Sequence, residues 1–171
     1  MQKTFSEILS DIKAKSKTSL LICVTMLIAS AAMLLTQHSI GWLFAIMGIV
    51  LAVSLYSKNQ RTQKELSKVR DYDDFCEQYV SDASTRLELL GLTITDDYAV
   101  VTIPYLQIFS LDEMEKFEVG LQGDIRKVLF LTDKNGERHR IAETQKGDAL
   151  QKEFDIAYET VRKYFNGRNG A

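Results

Sequence analysis

Seven carboxylates stand close together in three places: Asp71, Asp73 and Asp74, then Asp96-Asp97, then Asp112-Glu113. Neighbouring carboxylates in unlike environments are the usual material of general acid–base chemistry. The first group lacks the ligand spacing and the glycine of a calcium loop, so a solvated helix start is expected there. The other two pairs sit in turn-like contexts. Two histidines, His38 and His139, and two cysteines, Cys23 and Cys76, complete the reactive side chains. The cysteines make neither a zinc cluster nor a disulfide framework and fit a reducing cytoplasm. There is no P-loop, no Gly-x-Ser-x-Gly and no His-Glu-x-x-His pattern. From these residues a non-enzyme is expected, with no catalytic, cofactor-binding or metal-ligating residue and no cofactor.

The elements around those residues are set by charge. The chain has 171 residues, 21 Lys and Arg, 23 Asp and Glu, and a net charge of −2. From Thr18 to Ser57 no Asp, Glu, Lys or Arg occurs. A membrane span needs roughly 20 apolar residues, so this window holds two. The expected spans are residues 18–36 and 40–57, forming a transmembrane hairpin at 18–57 with its turn at Thr36-Gln37-His38-Ser39. Lys3, Lys13, Lys15 and Lys17 precede it, Lys58, Arg61, Lys64, Lys68 and Arg70 follow it, and the turn carries none. The rule that cations stay inside then places both termini in the cytoplasm and the His38 turn outside. That topology separates His38 from His139, so they share no metal.

Trp42 and Tyr56 sit where aromatic belts lie. Gly41, Ala45, Gly48 and Ala52 recur at close-packing spacing, for packing on the first span or between chains. Ala29-Ser30-Ala31 resembles a leader cleavage site, but Glu7 and Asp11 in the flank and the second span that follows oppose cleavage.

Thr4-Phe5-Ser6-Glu7 is a capping-box pattern, and Phe5, Ile8, Leu9 and Ile12 share one face. Residues 1–17 therefore read as an amphipathic helix, on the inner leaflet or docked on the chain's own soluble part. Val69, Tyr72, Cys76, Tyr79, Ala83, Leu87 and Leu90 recur at helical spacing, so residues 58–90 read as a linking helix.

From Gly91 the period changes. Five strands are expected, at residues 98–103, 106–111, 114–119, 126–132 and 137–142. Pro104 edges the first, residues 120–123 form a loop, and Asn135-Gly136 turns a hairpin. Asp148 caps a final helix whose apolar face is Leu150, Phe154, Ala157, Tyr158, Val161 and Phe165, ending near Asn166-Gly167. The expected fold class is α+β. A two-helix hairpin precedes a β domain over residues 91–166, a small antiparallel meander or partial barrel closed by the C-terminal helix, with a tail at 167–171.

Three segments carry a resemblance: Thr95-Asp96-Asp97-Tyr98-Ala99-Val100-Val101, the run from Phe109 to Glu118, and Leu129 to Gly136. Over about residues 92–165 the chain resembles small bacterial membrane proteins with two N-terminal transmembrane helices and a pleckstrin-homology-like domain. The resemblance implies a binding or scaffolding module and a barrel of seven strands, two more than the pattern yields. It supplies no functional residues.

Residues 71–171 hold 12 Lys and Arg against 20 Asp and Glu, a net of −8. Nucleic-acid and lipid-headgroup sites need a basic patch. Arg138, His139 and Arg140 are consecutive, but strand alternation divides them between two faces. No nucleic acid and no small-molecule substrate are therefore expected. The expected protein is a non-enzymatic, multi-pass protein of the inner or plasma membrane. It presents an acidic cytoplasmic domain to a protein partner or to another copy of itself. The alternatives are an accessory transmembrane subunit of a larger complex and an immunity-type membrane protein.

Overall fold

Uncharged, proline-free sequence makes the first two elements. The computed structural model describes residues 5–36, 40–123, 125–145 and 147–169, and divides the chain into two units, residues 1–64 and 65–171. In the first unit, α1 spans Phe5–Leu35 and α2 begins at Ile40 and ends at Leu66. The amphipathic segment and the first span, expected as separate elements, form one unbroken helix. Nothing between Lys13 and Thr18 is a helix breaker. Thr4 of the capping box and the turn residues 37–39, with His38, lie outside the described residues. Of the face Phe5, Ile8, Leu9 and Ile12, only Phe5's side chain lies within them, and it is buried.

Two stretches, Lys17–Leu35 and Ile40–Leu66, are long and apolar enough to cross a membrane. Nineteen helical residues rise about 28 Å, close to the hydrocarbon thickness. Only 11% of each apolar window is buried within the chain, which is unlike the core helix of a soluble protein. What is buried is the contact between the helices. A Cβ on Gly41 would lie 2.8 Å from Leu34 Cγ, and one on Gly48 would lie 2.8 Å from Leu27 Cδ2. Ser30 Oγ donates to Gly41 O at 2.8 Å and Cys23 Sγ donates to Gly48 O at 3.2 Å. The two glycines are thus used inside the hairpin.

The second unit starts in the last residues of α2. The linking helix expected over 58–90 does not exist as one element. α2 stops at Leu66, α3 covers Tyr72–Val80, and β1 begins at Thr85. The chain leaves α3 through a serine turn: Ser81 N donates to Glu77 O, Ala83 N to Ser81 Oγ and Ser84 Oγ to Ser81 O. Such side-chain bonds compete with the helix ladder and end it. Gly91, at φ +60°, then closes the hairpin between β1 (Thr85–Leu87) and β2 (Leu92–Ile94). These are the two short strands missing from the sequence count.

Among the described residues, seven strands form two antiparallel sheets. β3 (Tyr98–Val101) and β4 (Gln107–Ser110) complete a sheet of order β1-β2-β3-β4. A 3-10 turn at Leu111–Glu113 leads to β5 (Met114–Gln122), β6 (Arg126–Asp133) and β7 (Arg138–Gln145), the second sheet. β5 runs through Gly120, where a loop was expected. α4 spans Gln151–Asn169, past the expected stop at Asn166-Gly167. Asp148 forms the turn that leads into it: its Oδ1 accepts from Leu150 N and its backbone oxygen from Gln151 N. The described part is α+β with no closed barrel.

Register explains the burial. Leu92, Ile94, Ala99, Val101 and Phe109 share one face of the first sheet and meet Leu129, Leu131 and Ala142 of the second, with Phe154, Ala157, Val161 and Phe165 of α4. The opposite face of the first sheet, with Thr93, Tyr98, Val100 and Ile108, is buried too. α3 covers it: Phe75 meets the Tyr98 ring edge-on at 5.2 Å, and Tyr79 Oη lies 3.3 Å from Thr93 Oγ1. Phe75 is fully buried, so Phe75→Ala should destabilise the second unit by about 3–5 kcal/mol in urea unfolding. An unchanged midpoint would contradict this packing. Gly41→Ile should separate α1 from α2, read as lost excimer fluorescence between pyrenes placed one on each helix.

Candidate functional site

Each carboxylate group picked out in the sequence has a structural use. Asp71 is the N-cap of α3; its Oδ1 accepts from Asp73 N at 3.0 Å and Asp74 N at 3.3 Å. The negative charges of the first turn also suit the positive helix end. Asp97 Oδ2 accepts from Gln78 Nε2 at 2.6 Å, and Gln78 Oε1 accepts from Asp97 N and Thr95 Oγ1. Gln78 thereby ties α3 to the turn between β2 and β3. Asp112 Oδ1 accepts from Tyr164 Oη at 2.9 Å. Burial, then the Asp112 hydrogen bond, pushes the Tyr164 phenol up to about 12, so it stays a donor at neutral pH. Arg168 Nη1 donates to Met114 O at 2.9 Å. Together Tyr164 and Arg168 fasten α4 to the 3-10 turn.

The cysteines are equally occupied. Burial pushes the Cys76 thiol up, and Tyr72 hydrogen-bonds it one helical turn away. A raised pKa leaves the thiol protonated and a poor nucleophile. Cys23 belongs to the helix hairpin.

His139 has the most developed surroundings. A bulge between Leu129 and Phe130 of β6 shifts the pairing with β7, so Arg140 faces Phe130 and His139 faces Leu131. Arg138 lies over the Phe130 ring at 4.3 Å and reaches Glu118 at 3.2 Å; Arg140 pairs with Glu143 at 2.8 Å. The His139 ring lies 5.1 Å from Phe109, and its Nε2 is 3.1 Å from Asp133 Oδ2. Asp133 Oδ1 accepts from Asn135 N at 2.8 Å and Glu137 N at 2.9 Å. The His139 hydrogen bond, then the turn amides, hold the Asp133 carboxyl below its ordinary range.

Asp133, Glu137 and His139 each offer one ligand atom, all within 4.8 Å of one another. One imidazole and two carboxylates match the donors of a divalent transition metal. The bonds already present give the geometry a simpler reason: Asp133 folds the Asn135-Gly136 turn and His139 braces it. The sequence reading missed this pairing, whose signal is an Asp and a His flanking the turn six residues apart.

Comparison with family models, with curated proteins and with solved structures finds no match.

The Asp133 brace predicts a pH dependence. A carboxyl whose folded pKa is lowered contributes stability at pH above its unfolded value of about 3.9 and loses it as pH falls through the folded value. Asp133→Asn should therefore be less stable than wild type at pH 7, and the two should converge below about pH 3. A difference independent of pH would contradict the brace.

Proposed function

We propose that this chain is a non-enzymatic, membrane-anchored interaction module of the inner or plasma membrane. The hairpin is the anchor, both termini are cytoplasmic, and the second unit is the working part. The observation that carries the reading is the use of Gly41 and Gly48 against Leu34 and Leu27. A transmembrane subunit that recruits other helices is expected to turn its small residues outward. Here Gly41 and Gly48 close the chain's own hairpin, and although Ala52 stays exposed, much of the outward surface is bulky: Leu20, Leu21, Ile28, Ile46, Val50 and Val53 are all at least 60% exposed. That surface suits lipid. Trp42 and Tyr56, also exposed, suit the two interfaces.

For the second unit we propose a pleckstrin-homology-like module. Its support is the count and order of elements: seven antiparallel strands as four plus three, then a helix packed on the core. The count agrees with the number that the resemblance implies. The surface supports a basic protein partner. Residues 71–171 carry a net −8, and Arg126, Arg138, Arg140 and Arg162 each face a glutamate. An acidic surface with its arginines so engaged speeds and selects a cationic partner.

Affinity capture from native membranes, with a tag after Ala171, tests the proposal. A partner held by the full chain should be lost with residues 1–64 alone, and should dissociate as salt is raised through about 0.5 M. Retention by residues 1–64 would assign binding to the helices and overturn the module reading.

A further inference from the structure

Sheet edges expose unpaired amides and carbonyls, and folded proteins defend them by shortness, charge or cover. Four strands here end a sheet: β1, β4, β5 and β7. β1 has only three residues. β4 has its Ile108 amide taken by Glu65 Oε2 at 2.8 Å. β7 is blunted by Arg138, Arg140 and Glu143, while on β5 the register shift and the charges end by Glu118 and Val119 to Gln122 carry none. β5 is nine residues long, and among the described residues its start is covered, where Arg168 takes Met114 O.

From Lys116 to Gln122, β5 has β6 on one side and, among the described residues, no hydrogen-bonding partner beyond the strand pair on the other. Two large apolar side chains on this bare stretch are solvent-exposed, Val119 at 43% and Leu121 at 74%.

We propose that this edge pairs with the same edge of a second copy, joining two three-stranded sheets into one of six. The free stretch, residues 116–122, is symmetric about Val119, and an antiparallel two-fold there uses all of it. Val119 then faces Val119, Phe117 faces Leu121, Lys116 faces Gln122 and Glu118 faces Gly120. Phe117, Val119 and Leu121 share one face, so the apolar residues meet apolar residues. No like charges stand directly opposite. A centre one residue earlier opposes Glu118 to Glu118. A centre at Phe117 sets Glu115 against Val119 and leaves Leu121 beyond the paired strands. Self-complementarity of this kind fits a two-fold dimer. The dimer adds a contact that the anchored-module reading does not require.

The test uses the full chain in mild detergent. Wild type should have the mass of two chains by light scattering. V119K/L121K should halve that mass while the far-UV circular dichroism spectrum stays that of wild type, since both side chains are exposed within one chain. Independently, Val119→Cys in a C23A/C76A background should cross-link to itself on oxidation in native membranes, while Asp82→Cys should not. If the lysine variant fails to fold, the cysteine pair decides. A monomeric wild type would overturn the proposal, as would a dimer that survives both lysines or a V119C chain that does not cross-link. Those results leave the anchored module standing, because its test is partner capture.

Discussion

Two helices that bury only about a tenth of their apolar windows against their own chain need another apolar medium. The backbone amides are satisfied within each helix, as a hydrocarbon surround demands. Two polar side chains inside the windows are satisfied across the pair, Ser30 on Gly41 O and Cys23 on Gly48 O. Glycine at positions 41 and 48 permits that approach. With the hairpin closed on itself, the charged residues are left to its flanks and to the second unit.

In the second unit the first sheet is buried on both faces, by the core on one side and by α3 on the other. This accounts for strands in which every residue is buried, such as Leu92–Ile94 and Tyr98–Val101. It also accounts for the fate of the side chains that looked chemical. Gln78 and Asp97 hold α3, Tyr164 and Asp112 hold α4, and Asp133 and His139 hold the last hairpin. Groups committed to such latches suit a rigid surface better than a reaction, and the activity proposed is recognition by that surface.

The sequence revealed the apolar hairpin, the hairpin turn at Asn135-Gly136 and the terminal helix because each rests on a local pattern. It misled between Val69 and Leu90. There, Leu87 and Leu90 continue a helical spacing that Tyr72, Cys76 and Tyr79 begin. The serine turn at Ser81–Ser84 breaks it, and Leu87 reaches the core from a strand instead. Gly120 looked like the start of a loop. It is a strand residue paired with Val128, and the Phe130 ring lies across it, where a Cβ would be 3.0 Å from the ring edge. The His139 brace was hidden because it depends on a register shift, which no residue pattern announces. The bare edge of β5 was hidden for a similar reason, since strand order is a property of the whole sheet.

The central claim is that the chain crosses the membrane twice and keeps its second unit inside. Cysteine labelling in intact cells addresses it most directly, in a chain whose two native cysteines are replaced by alanine. His38→Cys should react with a membrane-impermeant maleimide, while Asp82→Cys should react only after the membrane is opened. Labelling of Asp82→Cys in sealed cells, or protection of His38→Cys, would contradict the account.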